Sequence, residues 1–494
     1  MPKTIISSKK KKCKKRSGNF IKDTKIEDIV IEAKTVRKIF SKNAISKIAK
    51  KSGFIQRKRK LNAYNFFLSL SFGSLKSKTI TLSSIVETMS GNISIAGVHE
   101  RFNGEACKFF ERVYEHCFKK VTSNMDGIDV GIVNKFNRVN IVDSTSWKIP
   151  AKLKETFAGC NEAGCKVQIM TDYKSGAMQL LDITEETYND QKYATNRIGD
   201  YVEKNDLILM DMGYCITAGV RAIKEKGGYF ISRFNYHAIN LYIKRASEFL
   251  IVDLIDITRR FGTGNPVLEI DCWCGGSKDK VKVRILGVKL PEKEANERRR
   301  KIRIKAKKRG TSPTKKTLEL SSWSFFITNI PKEKGLSAKD IIRFYPVRWN
   351  IEIFFKQMKS ILNIHRTEVK TNEYRLRCEV LGKCILAMVI SYCYGIARNY
   401  TWDKTGMEIS FEKTVKLFKR TGSSLVVMLL VGSMKKIEEF IRYMLIFIVH
   451  TCKKNRQKSR KNTLDVLIEK VEYKNFNQIM RISQQELAGL TSLT

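Results

Sequence analysis

The residues of this chain that could do chemistry fall in three places. Asp143 ends the apolar run of RVNIVDST, and Asp211 ends that of LILMDMGY. In YPVRWNIEIFFKQMK, residues 345–359, Tyr345, Arg348, Glu352 and Lys359 stand at spacings of three, four and seven. An acid at the end of a buried strand stays ionised only with partners or a metal ion. Open α/β sheets build their sites at strand ends, so two adjacent strands would bring both carboxylates into one cleft, where their repulsion calls for a cation. Mg²⁺ or Mn²⁺ fits, since both prefer hard oxygen ligands and keep exchangeable waters. A third carboxylate would complete a two-ion site for in-line attack on a phosphodiester, one ion activating the water or hydroxyl and the other stabilising the leaving oxygen. Taken singly, each Asp also reads as a turn or helix N-cap residue. Asp182 and Asp271 end apolar runs too, and the sequence does not exclude them.

On a helix, Tyr345, Arg348, Glu352 and Lys359 lie within about 60° of one another. Pro346 suits the first helical position and puts Tyr345 at the helix entrance. Ile351, Ile353, Phe354, Phe355 and Met358 supply much of the apolar surface. The plain reading is a salt-bridge ladder, with Lys356 four residues beyond Glu352. With DNA as partner the same stripe becomes a grip. Arg348 forks onto a phosphate, Lys359 acts as a point charge, and Tyr345 donates its hydroxyl to the backbone or packs on a sugar. A scissile phosphate then lies over Glu352, and positioning carries much of the catalysis.

The composition favours such a partner. The 494 residues include 93 Lys plus Arg against 49 Asp plus Glu, a formal charge of +44. Cationic side chains on phosphate release condensed counterions, so a polyanion is expected; an anionic membrane or ribosomal RNA would also answer to charge alone. At this length two or three domains are expected. The N-terminus opens on lysines without an apolar core, so no signal peptide is predicted. The longest apolar runs, such as SSLVVMLLVGSM and YMLIFIVH, are too short to span a bilayer, which predicts no membrane segment. Twelve cysteines include the close pairs Cys160 with Cys165 and Cys272 with Cys274, neither of them matched C-x2-C spacing. Free thiols in a reducing cytoplasm follow. His99, His116, His237, His365 and His450 have no metal-ligand spacing.

The elements that must position these residues can be read coarsely. Residues 1–60 are lysine-rich, with KKKKCKKR at 9–16, the pattern of a nucleic-acid-binding arm. A helix is predicted from near Arg101. From there the order is strand, strand, strand, helix, strand, helix, strand, with a hairpin turn at Lys174-Ser175-Gly176. EFLIVDLI, PVLEIDCWC and KVKVRILGVKL read as β-rich sequence, interrupted by a basic segment that carries Arg298, Arg299 and Arg300, expected to meet a DNA backbone. SSWSFFITNIP restores a strand, and residues 370–494 read as helical and basic.

The spacing Y-x2-R-x3-E-x6-K resembles the signature of DDE transposases of the insertion-sequence-four family, relatives of the Tn-five and Tn-ten transposases. VDSTSWKIP resembles that family's first-Asp segment, LILMDMGY its second, and SSWSFFITNIP the strand before the signature. The resemblance covers about residues 60–450. It implies an α/β fold: an RNase H-like catalytic core with a β-rich insertion, flanked by helical regions. The expected division is a DNA-end-binding region at 1–120, core at 121–235, insertion at 236–335, final core helices at 336–400 and a dimerisation region at 401–494. The resemblance assigns Asp143, Asp211 and Glu352 to two Mg²⁺ or Mn²⁺ ions, and Tyr345, Arg348 and Lys359 to the transposon-end strand. It implies cut-and-paste transposition by a homodimer pairing two terminal inverted repeats, in a prokaryotic cytoplasm close to the nucleoid. A non-catalytic regulator of transposition, or a nuclease without strand transfer, are the alternatives. In relatives excision passes through a DNA hairpin, with a Trp stacked on a flipped base. That Trp lies four residues before the Thr of a T-x-x-P stretch, whereas Trp323 lies five before Thr328 and Ser324 holds the expected place. Strand alternation would turn Trp323 to the opposite face unless a bulge restores it.

Overall fold

The computed structural model describes residues 34, 36–57, 60–91, 93–123, 127–128, 130–276, 280–455, 467 and 479–491. The lysine run at 9–16 lies outside the described residues. The described strands form one sheet of eleven. They are β1 (Val139–Ile149), β2 (Ala163–Asp172), β3 (Met178–Glu185), β4 (Leu207–Met210), β5 (Tyr229–Arg233), β6 (Leu241–Arg245), β7 (Glu248–Val252), β8 (Val267–Gly275), β9 (Lys280–Lys289), β10 (Trp323–Thr328) and β11 (Ile479–Ile482). Their spatial order is β3-β2-β1-β4-β5-β10-β9-β8-β6-β7, with β11 on β8.

The first five strands are made from the runs the sequence marks. β1, β2 and β3 are antiparallel neighbours, and the turn between β2 and β3 is closed by Gly176 at φ +80, a left-handed backbone that favours glycine. β4 lies parallel to both β1 and β5. Parallel strands are covered on both faces and read as unbroken apolar runs, as all four residues of β4 do when buried. Alternate side chains point to opposite faces. Ile141, Leu207, Leu209 and Ile231 enter a core shared with the helices Ala63–Lys76, Gly104–Thr122 and Glu373–Thr405. Val142, Ile208, Met210 and Phe230 enter a second core on the other face.

The insertion strands extend this same sheet, because β10 pairs with β5 on one side and β9 on the other. The sequence reading missed β6 and β11. Its basic segment folds largely as a helix, Glu292–Lys308. The helix expected from Arg101 starts at Gly104 instead, where the Asn103 side chain accepts the N–H of Ala106 and caps it.

Three other expectations change. β1 does not end at Asp143 but runs on to Ile149, since Ser144–Ile149 stays paired with β2 and Thr145, Trp147 and Ile149 remain buried. Tyr345 is not the entrance of one long α-helix. Residues Tyr345–Arg348 form a 3₁₀ turn between the helices Ala338–Phe344 and Trp349–Ser360, and Pro346, which donates no backbone bond, sits in that turn. Finally, the helix Glu373–Thr405 is long and apolar enough to cross a membrane, although 89% of its most apolar stretch is buried in the protein. It serves as the axis on which the helical regions pack.

Candidate active site

The parallel register fixes the site. Val142 of β1 is level with Met210 of β4, and Met210 is level with Ser232 of β5. One residue further on, Asp143, Asp211 and Arg233 therefore stand in a row across three adjacent strands. At that level β4 has ended while β1 continues with β2, so Asp143 lies at a step in the sheet.

Glu352 reaches this row from the helix Trp349–Ser360. The Arg348 guanidinium joins the two elements, donating from one nitrogen to Asp143 Oδ2 at 3.4 Å and from the other to Glu352 Oε1 at 2.5 Å. Its side chain is 8% exposed, against 20% for Asp143 and 38% for Glu352. Burial pushes the Asp143 carboxyl up to about 6; the charges of Asp211 and Asp190 add to the rise, while the Ser144 N–H and Arg348 oppose it. Asp143 is thus an acid whose ionised form is short of positive charge.

Tyr345 and Lys359 lie beside this pair. Tyr345 is buried, edge-on to Phe326, with its ring 5.8 Å from the Arg348 guanidinium carbon. Its Oη makes no hydrogen bond, nor does Nε of Arg348. Burial raises the Tyr345 phenol to about 12. Lys359 Nζ donates to the Ser146 carbonyl of β1 at 2.9 Å, and burial lowers its pKa.

Other predicted residues are placed differently. Trp323 is buried in the second core, stacked on Phe325 and close against Gly262. Its indole presents no open face to a base in this arrangement, and the alternation of β10 puts Ser324 and Phe326 on the Tyr345 side. Arg298 donates to the Trp323 carbonyl and to Ser324 Oγ, and Arg299 bonds Glu292, Asn296 and Ser322. Both brace the helix Glu292–Lys308 against β10 and the turn before it, while Arg300 is exposed. Asp182 lines a separate cavity with Tyr114 and Tyr201, and Asp271 pairs with Lys332 at 2.6 Å. Neither joins the row.

The sequence reading passed over two groups beside the acids. Arg233 is exposed at the end of β5, and its charge is felt at Tyr345 and Arg298. Like Asp143 and Asp211 it follows an apolar run, YFIS, and that signal could have found it. Asp190 opens the helix Asp190–Asn196, where it accepts from Ser144 Oγ at 2.8 Å and lies 3.6 Å from Lys166 Nζ. Gln168 bonds both Asp190 and the buried Tyr214 hydroxyl, which ties the Asp143 strand to the turn carrying Asp211.

Asp143, Asp211 and Glu352 are the hard oxygen donors that a divalent cation of the Mg²⁺ type takes. Among the described residues no three acid, His or Cys side chains are gathered closely enough to hold an ion outright. Arg348 supplies the positive charge between Asp143 and Glu352 instead. The donor set fits the cation, provided Arg348 yields its place.

The sequence profile of the transposase DDE domain matches residues 134–389, just over half of the chain, and spans all three acids. This chain belongs to the DDE transposase family. It is a transposase, an enzyme that cleaves DNA and transfers strands, and the family works with divalent metal ions. It is 27% identical over 458 residues to the transposase of insertion sequence element IS231B from Bacillus thuringiensis subsp. berliner, covering 88% of this chain and 94% of that protein. It is 26% identical over 399 residues to the transposase of IS1151 from Clostridium perfringens, covering 76% and 83%. A piggyBac transposase synaptic complex with hairpin DNA aligns over 90% of this chain and 85% of its own at 10% identity, with a TM-score of 0.37; a likeness that low carries no argument.

Proposed function

We propose that this transposase is of the insertion-sequence-four type and performs cut-and-paste transposition with Asp143, Asp211 and Glu352 as its catalytic acids. The observation that carries this reading is the meeting of Asp143 with Glu352 through Arg348 beside the in-register Asp211. The sheet order β3-β2-β1-β4-β5, with β1, β4 and β5 parallel, supports an RNase H-like core.

Asp143, Asp211 and Glu352 would hold two Mg²⁺ ions, which supply activation of the attacking water or 3′ hydroxyl and stabilisation of the leaving oxygen. With metal bound to those carboxylates, Arg348 would be free of them, and its planar fork would suit a phosphate. Tyr345 Oη, buried without a partner, gains a backbone phosphate as acceptor. Lys359 exchanges the Ser146 carbonyl for the next phosphate along. These contacts would aim the scissile phosphate at Glu352. We assign recognition of terminal inverted repeats to residues 1–120 and pairing of two subunits to 401–494, in a prokaryotic cytoplasm; the bacterial origin of the relatives supports that compartment.

Glu352→Ala tests the assignment. Cleavage of a duplex ending in the element's inverted repeat should fall on the order of a thousandfold in Mg²⁺, with end binding retained. Nicking at the normal rate would remove Glu352 from the catalytic set.

A further inference from the structure

A second cationic surface begins where the Glu352 helix ends. A groove of 600 Å³ opens beside Ser360, lined by Lys78, Lys413, Lys416, Lys419 and Arg420, and none of the described residues lining it is acidic. Four segments distant in sequence build it: the loop carrying Lys78, the end of the helix Trp349–Ser360 with the loop after it, one face of the helix Phe411–Val431, and the end of the helix Met434–Thr451. Lys413, Lys416 and Arg420 follow one another at three and four residues, the spacing of a single helix face.

The cations divide into two kinds. Lys413 Nζ is tied to the Lys453 carbonyl at 2.8 Å and to Asn455 Oδ1 at 2.9 Å, and Lys419 Nζ to the Ser74 carbonyl at 2.5 Å. They form a fixed floor whose charge is not neutralised, because these acceptors are uncharged. Lys78, Lys416 and Arg420 are exposed. Lys416 bonds Glu412 on its own helix, a solvent-exposed pairing worth little and easily exchanged for a phosphate. Lys356, one turn beyond Glu352, lies near enough for its charge to bear on Glu412. Exposed Lys356 on the helix Trp349–Ser360 and Lys416 at the groove thus flank one carboxylate, Glu412, between them.

Ser360 is eight residues beyond Glu352, about 12 Å along the helix. At about 3.4 Å of rise per nucleotide, that is three to four steps of one DNA strand. We propose that this groove holds the phosphate backbone of the same DNA strand whose scissile phosphate lies over Glu352, with Lys78, Lys416 and Arg420 as the contacts. The proposal rests on the reading of Glu352 given above, and it assigns DNA contact to a part of the chain for which the sequence suggested only dimerisation.

The test uses the full chain with Lys416→Gln and Arg420→Gln together, and separately Lys78→Gln from a different segment. The probe is a duplex carrying the element's terminal inverted repeat and its flanking DNA. The salt dependence of binding should become shallower by about two for the double variant and by about one for Lys78→Gln. Mg²⁺-dependent cleavage should fall about tenfold near physiological salt, with the thermal midpoint unchanged. An unchanged slope with unchanged end cleavage overturns the proposal. So does a loss confined to joining a precleaved end into plasmid, which would make the groove a target-DNA surface. Glu352→Ala is assayed in parallel: if it cleaves like the unaltered protein, the catalytic assignment fails, and the slope still decides the groove.

Discussion

Two of the clusters of acids and cations among the described residues, one around Glu379 and one around Glu352, are built in opposite ways. In the long helix, Glu379 is 1% exposed, yet both its oxygens are used. One accepts from Arg375 at 2.9 Å and the other from Thr367 at 2.8 Å. Arg375 also donates to the Ile80 carbonyl, and Lys383 to those of Asn363 and Arg366. The cluster clamps the loop after the helix Trp349–Ser360 to the long helix and to the N-terminal helices. Around Glu352 one bond is short, from Arg348, but the rest of the network is long or missing. Arg348 reaches Asp143 only at 3.4 Å, and its Nε and the Tyr345 hydroxyl have no partner. A buried polar network that is fully satisfied rigidifies a fold, whereas one left partly satisfied costs stability. The second cluster keeps donors in reserve, as a site must if metal and phosphate are to complete it.

The contrast can be broken from either side. The largest effect is expected from Glu379→Ala, which leaves Lys383 and Arg375 buried without their counter-charge. Urea unfolding should show a loss of about 3–5 kcal/mol that Mg²⁺ does not restore. A loss below about 1 kcal/mol would put this cluster on a par with a surface pair.

Asp143→Asn should act in the other direction. The folded carboxyl titrates near about 6, above the ordinary aspartate value of about 3.9. The folded state therefore binds the proton more readily than the unfolded chain. In metal-free protein, this contributes stability that is fully present below the unfolded value and is lost as pH rises through about 6. Unfolding followed between pH 4 and 7 in a chelator should show the unaltered protein losing about 2–3 kcal/mol of relative stability that the Asn variant does not lose. Parallel curves for the two proteins would mean that Asp143 is already fully compensated.

The smallest change expected is from Tyr345→Phe. Its hydroxyl has no bond to lose, so the folded protein should keep its stability to within about 0.5 kcal/mol. Binding of the transposon-end duplex should weaken by about 1 kcal/mol. A stability loss with unaltered DNA affinity would make Tyr345 a core residue only.

Much of this is legible in the sequence alone. The apolar runs ending on Asp143 and Asp211, the turn at Gly176 and the order of the first five strands follow from local rules of burial, alternation and backbone freedom. The spacing of Tyr345, Arg348, Glu352 and Lys359 pointed to a branch of the DDE transposases, and the profile of the wider family matches residues 134–389. Other features could not be read locally. β6 was lost because its five residues end in Lys and Arg, and its pairing with β7 and β8 is a matter of neighbours. The extent of β1 was hidden because STSWKI is polar enough to pass for a turn and is held as strand only by β2 across from it.

What the sequence determined by itself is the set of chemical groups and the short elements that carry them, since these depend on residues a few positions apart. The tertiary structure decided which groups meet. Strand adjacency placed Arg233 in a row with Asp143 and Asp211, which are 90, 22 and 68 residues apart pairwise in the chain. Packing of the Trp349–Ser360 helix put Arg348 between two acids rather than out toward solvent, and the alternation of β10 turned Trp323 into the core. Charge and hydrogen bonding act over a few ångströms, and only the folded chain brings residues so far apart in sequence within that reach.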